Sequence, residues 1–412
     1  MSISTEDIEA GLTHEYPRVR HFWAERMDWT PTPEQIERGL KDENEKVRMT
    51  WAKRMDYTPT PEQVERGLTD ENGSVRTSWA ERMDWTPTPE QVERGLTDEY
   101  KSVRLAWSQR KDYTPTPKQI DIGLSDSRWE VRLAWAKRKD WTPTSFQVQK
   151  GLRDKYFGVR EAWAQRTDFS PNLHQIVRGL SDQDWEIRKA WAERIDFTPT
   201  PEQIEKGLTD PNYTVRLQWI KKVKTPTPEQ IQRGLTDGSW EVRLAWAKRT
   251  DFTPSPWQME RGLNDHNLFV KLAWVERKEC VYTPEQRERG LTDDFALIRA
   301  AWARREDFTP TPEQIERGLI DAHSIVRLAW AERQDYRASP EQVKRGMEDE
   351  DFKVQAAWIL RIDVLPTPEE IQKGLKHPDE ALRKVWEDKV TSMHEKGMEV
   401  SQDECESMCS SL

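Results

Sequence analysis

Residues 84–111 read DWTPTPEQVERGLTDEYKSVRLAWSQRK, and this stretch is one copy of a pattern that runs the length of the chain. Its tryptophan, Trp107, recurs at intervals of 28 residues as Trp23, Trp51, Trp79, Trp135, Trp163, Trp191 and Trp219. The series continues as Trp246, Trp274, Trp302, Trp330, Trp358 and Trp386, and only the step from Trp219 to Trp246 is shortened, to 27. A fixed period of this size marks a repeat array in which each unit packs mainly on its neighbours. Shared positions then build the scaffold, and positions that vary between repeats carry specificity.

Each repeat contains two helix starts. In the second, Thr32-Pro33-Glu34-Gln35 has the composition of a capping box, with proline at the first helical position where its missing N–H costs nothing. The spacing predicts a two-turn helix A that Gly39 ends as a C-cap, with Leu40 supplying the contact beyond it. The second start follows Asp42. Two residues after this Asp, an N-cap type stands in eight repeats: Asn44, Asn72, Asp184, Asn212, Ser239, Asn267, Asp351 and Asp379. Helix B then presents Val47 and Trp51 on one face, with small residues beside the Trp that allow close helix approach. Helices this short do not hold alone. Burying one tryptophan removes ~150–250 Å² from water, an upper bound of ~4–6 kcal/mol. That makes the Trp row the expected core. Arginines three before and three after most framework tryptophans, such as Arg132 and Arg138 around Trp135, are placed for cation–π contact.

The pattern L-x-D-x-x-x-x-V-R-x-A-W-A of Leu124–Ala136 resembles the second half of a HEAT-type repeat, and the Thr-Pro entry resembles the leucine-rich variant repeats. The resemblance covers about residues 4–390 and implies an all-α fold, an α-solenoid superhelix of about fourteen short two-helix repeats. It also implies a structural ladder between neighbouring repeats from Asp42 and Arg48, Asp70 and Arg76, Asp98 and Arg104 and their counterparts. Tryptophan stands where HEAT repeats place a small residue.

A hydrophobic content of 35% against 33% charged residues suits an elongated body with a thin core. No apolar run is long enough to span a bilayer and no signal-peptide pattern opens the chain, so a cytoplasmic protein with no membrane association is expected. The net charge of −10 argues against a dedicated nucleic-acid binder. Three cysteines make no disulfide framework, and Cys405 and Cys409 with His394 give no metal site of weight. Phe22, Val385 and Glu387 replace small residues beside the terminal tryptophans and read as caps. One continuous solenoid over residues 1–390 is therefore expected, followed by an acidic, disordered tail over 391–412. Two interior faults, IKKVKTPTPEQ after Trp219 and ECVYTPEQR at 279–287, read as drift at tolerant loops.

A second aromatic row is confined to the middle. Three residues after the ladder Asp stand Trp129, Phe157, Trp185, Tyr213 and Trp240, followed by Leu268. Four residues later on the same helices come Leu133, Leu217, Leu244 and Leu272, with Glu161 and Lys189 between them. Both positions point away from the framework Trp. By the resemblance, helix B lines the concave side, so these ten apolar residues would form a partner-binding stripe along the inner groove. The competing expectation packs the rings between neighbouring B helices. A basic row from Arg38 to Lys373 precedes the helix A glycine, and acids four before it, such as Glu34, suggest ordinary i,i+4 pairs.

No GxGxxG, P-loop, HExxH or GxSxG motif is present, and the seven histidines are scattered. No catalytic, cofactor or metal set is therefore expected. The sequence reads as a non-catalytic scaffold that holds a protein or peptide partner along its central groove. The alternative is a nucleic-acid-binding solenoid that uses arginine rows and stacked aromatics.

Overall fold

The structure is a computed structural model that describes residues 4–395. It holds 28 α-helices, two per repeat, and the described residues contain no strand. The chain is an all-α solenoid of two-helix repeats. Its residues divide into two compact units, one ending at Trp219 and the other beginning at Ile220. The division falls at the start of the repeat that is one residue short.

All fourteen A helices start with the capping box. In the second repeat, helix A is Pro33–Leu40, Thr32 Oγ1 accepts from the Gln35 N–H, and Gln35 Oε1 accepts from the Thr32 N–H at 2.9 Å. The glycine reading is corrected. Gly39 is not a C-cap: it lies inside the helix, which runs on through Leu40 to end at Lys41 with φ −109°. A Cβ built on Gly39 would sit 2.1 Å from Trp51 Nε1. Glycine is therefore needed as a socket, because the indole twelve residues on lies flat against bare backbone. The same approach recurs at Gly67 with Trp79, Gly123 with Trp135 and Gly318 with Trp330. The lattice tryptophans from Trp51 to Trp358 are essentially fully buried, whereas Trp23 is half-buried.

Two arginine ladders tie the repeats together. The arginine before the Trp reaches forward: Arg48 Nε donates to Asp70 Oδ2 at 2.7 Å, and its Nη1 donates to the Asp42 carbonyl at 2.8 Å. The Asp–Arg ladder thus links each Arg to the Asp of the next repeat, and to its own repeat's Asp only through backbone. The arginine after the Trp reaches back. Arg110 donates to the Ala80 and Arg82 carbonyls, to the Trp85 carbonyl and to Asp112. Its guanidinium lies 4.4 Å from the Trp85 ring centroid and 5.2 Å from that of Trp107. Of the two arginines flanking each Trp, only this one lies over the indole; the other is turned to the neighbouring repeat.

The fault at 279–287 is repaired in the fold. Cys280 takes the place of the usual aromatic and is buried, and Tyr282, two residues on, fills the slot with its ring 4.9 Å from Trp302. Arg287, in an apolar position, lies over Phe308 and donates to the Tyr282 carbonyl at 2.7 Å. At the C-terminal end the expected stop near 390 is overrun. The last helix is Glu380–Glu395, and Met393 is buried with Ile359, Ile371, Leu382 and Trp386. Lys389 replaces the buried arginine and donates to the Arg361 and Val364 carbonyls. Residues 391–395 are therefore helix rather than tail, because Met393 supplies one more apolar contact than the repeat register foresees. Cys405, Cys409 and the rest of the tail lie outside the described residues.

Candidate partner-binding face

The central aromatics occupy one structural position, the first residue of helix B. In the first unit these helices are Trp129–Lys137, Phe157–Ala164, Trp185–Glu193 and Tyr213–Ile220. In the second unit they are Trp240–Ala247 and Leu268–Val275. Trp129, Phe157, Trp185, Tyr213 and Trp240 keep between 37% and 40% of their surface in solvent. They are neither core nor free: each ring lies against its surroundings and leaves a face open. Leu133, Leu217, Leu244, Leu268 and Leu272 are half-buried beside them.

Rings of this row pack on aromatic neighbours at two places. In the first unit, Trp129 stacks on Tyr156 with ring centroids 4.0 Å apart and planes at 27°, and Tyr156 in turn meets Phe157 at 5.0 Å. In the second unit, Trp240 lies 5.9 Å from Phe269, which is itself exposed. Tyr156 and Phe269 were not legible as members of the row. The signal for Tyr156 was its place two after the ladder Asp, where asparagine elsewhere caps the helix. Asn44 accepts from the Lys46 N–H at 3.0 Å, whereas Tyr156 makes no side-chain cap. Giving up an N-cap costs ~1 kcal/mol, and here an aromatic contact stands in its place. Among the eight cap types, Asp184 also departs: it receives Arg160 instead of capping, and Ser239 likewise makes no cap.

Several cations of the basic row are paired, with different partners from those expected. Arg66 pairs with Glu37 of the preceding helix A at 2.7 Å, Arg94 with Glu65 at 2.8 Å and Arg317 with Glu288 at 2.7 Å. These bonds run between repeats, not four residues along one helix. The Arg66 guanidinium, aided by Lys41, holds the Glu37 carboxyl down at about 2.

No helix among the described residues is long and apolar enough to cross a membrane. No group of His, Cys, Asp or Glu among them is placed to hold a metal ion. No family model matches the chain. No curated protein matches it. Among solved structures it is similar to a leucine-rich repeat variant described as having a novel repetitive structural motif. That similarity is 23% in sequence identity over 60% of this chain and 86% of the other, with a TM-score of 0.40. The fold assignment rests on the repeats themselves.

Proposed function

We propose that the protein is a non-catalytic scaffold whose B-helix face binds a segment of a partner protein. The observation that carries this reading is the contrast between two sets of tryptophan. Those on the 28-residue lattice from Trp51 onward are buried, while Trp129, Trp185 and Trp240 each leave more than a third of their surface open. Large rigid aromatics with one open face are favoured interface anchors. Glu186 and Glu241 directly follow Trp185 and Trp240, whereas Glu130 already holds Lys101, so a partner with apolar anchors and basic residues beside the last two fits the face.

A phosphate track is disfavoured, because cations of the A-helix row such as Arg66 and Arg317 already hold carboxylates. The test is the triple variant Trp129→Ala, Trp185→Ala, Trp240→Ala. These rings are only partly buried, so its melting temperature should stay near that of the wild type. The partner recovered from native extract is then titrated against both proteins. Loss of affinity by about tenfold or more is expected, a typical cost for removed aromatic anchors; equal affinity with the fold intact contradicts the proposal. A mobility shift of single-stranded nucleic acid that weakens steeply with salt would support the alternative instead.

A further inference from the structure

A second surface of the first unit departs from its neighbours by substitution. Half of the A helices carry glutamate at both their second and fifth positions, as Glu34 and Glu37, Glu62 and Glu65, and Glu90 and Glu93. The fifth-position glutamate receives the arginine of the next helix A, as Glu37 does Arg66. In helices Ser145–Gly151 and Leu173–Gly179 the set is gone: Phe146 and Gln149 stand in the first, His174 and Val177 in the second. By register Arg178 should pair with residue 149, and it meets a glutamine. Neither Arg178 nor Arg153 has an ion-pair partner among the described residues. Lys150 and Lys206 alongside donate to the hydroxyls of Ser125 and Ser181, at 2.5 and 2.6 Å, and not to carboxylates.

These changes converge on one place. Phe146, Gln149, Arg153, His174 and Arg178 line a single groove of about 310 Å³ between the two helices. Phe146 is 72% exposed and Leu173 is 68% exposed. In the second unit Trp257 occupies the position of Phe146, but there Arg261 lies over its ring, 5.7 Å from the centroid. The first-unit groove combines open apolar rings with cations that lack carboxylates.

We propose that this groove binds an acidic peptide segment of a partner protein, its carboxylates on Arg153 and Arg178 and an apolar side chain against Phe146. Charge complementarity selects the occupant. Asp121 on one side and Glu202 on the other bound the basic stretch to about two repeats, so a long polyanion laid along this face meets repulsion at both ends. A short acidic segment does not. The groove is formed by A helices and is separate from the B-helix face proposed above, so either assignment can fail without the other.

The test uses the full chain and a fluorescent peptide that alternates glutamate and leucine, with a glutamine–leucine peptide as control, read by anisotropy. Two variants discriminate. Arg153→Glu with Arg178→Glu reverses the cations. Gln149→Glu with Val177→Glu restores the glutamates of the other repeats, which then pair with Arg178 and Lys206 and leave every cation in place. Both should weaken acidic-peptide binding by on the order of tenfold, while Trp129→Ala with Trp185→Ala leaves it unchanged. The proposal is overturned if the two peptides bind alike, or if the glutamate-restoring variant binds as the wild type does. Tighter binding of a single-stranded oligonucleotide than of the acidic peptide, lost in the same variants, would also overturn it.

Discussion

The glycine at the end of helix A shows how one residue can be read correctly as important and wrongly as to why. Gly-Leu after a two-turn helix has the composition of a C-cap, and sequence alone cannot show a side chain arriving from twelve residues away. The two readings separate under substitution. A helix-interior glycine with room around it gains up to ~1 kcal/mol on change to alanine. Gly123→Ala would place its Cβ 2.0 Å from Trp135 Nε1. It should therefore lose ~1–3 kcal/mol by overpacking, seen as a lower urea midpoint. Gly238, with nothing within 4 Å of a built Cβ, is the control, and its alanine variant should fall within ~0.5 kcal/mol of wild type. Tyrosine gives a second residue-scale test. Tyr57 and Tyr336 donate to the Trp51 and Trp330 carbonyls, and burial pushes each phenol up to about 12. A raised phenol favours the folded state fully below its usual 10, and that contribution is lost as pH rises through about 12. Phenolate absorbance in the ultraviolet should show these tyrosines titrating after the exposed ones and together with loss of helix.

At the scale of the element, the capping box was fully legible, because its residues lie within four positions and satisfy one another. The arginine ladders were legible only as a pattern. Their partners lie 22 to 30 residues away in sequence, a separation that periodicity records without assigning a donor to an acceptor. The two arginine sets should therefore differ greatly in weight. Arg110 is buried, caged by two indoles and bonded to three carbonyls and Asp112. Arg110→Leu leaves those acceptors unsatisfied and should cost ~3–5 kcal/mol. Arg66, a third exposed in its pair with Glu37, should cost no more than ~1 kcal/mol on the same change. Paired denaturant titrations decide between them. The Glu37 contribution has the opposite pH sign from that of tyrosine. A carboxyl held at about 2 stabilises fully above its usual 4.5, and this is lost as pH falls through about 2. Arg66→Leu should accordingly flatten the acid limb of a stability–pH profile.

For the whole molecule, repeat register was readable from tryptophan spacing and fold class from the helix starts with the resemblance to helical repeats, and the unit boundary falls at the one irregular step in that spacing. Two features escaped because they depend on packing partners rather than period: Met393 extending the last helix, and Tyr156 and Phe269 joining the aromatic row. The functional claim rests on the division between the buried lattice tryptophans and the part-exposed Trp129, Trp185 and Trp240, and residue-resolved oxidation of the intact protein measures that division directly. With brief N-bromosuccinimide treatment and mass-spectrometric readout, Trp129, Trp185, Trp240 and Trp257 should react while Trp51 to Trp358 on the lattice stay intact. Partner binding should then protect Trp129, Trp185 and Trp240. Comparable oxidation of the lattice set, or partner binding that leaves those three equally reactive, would contradict the account.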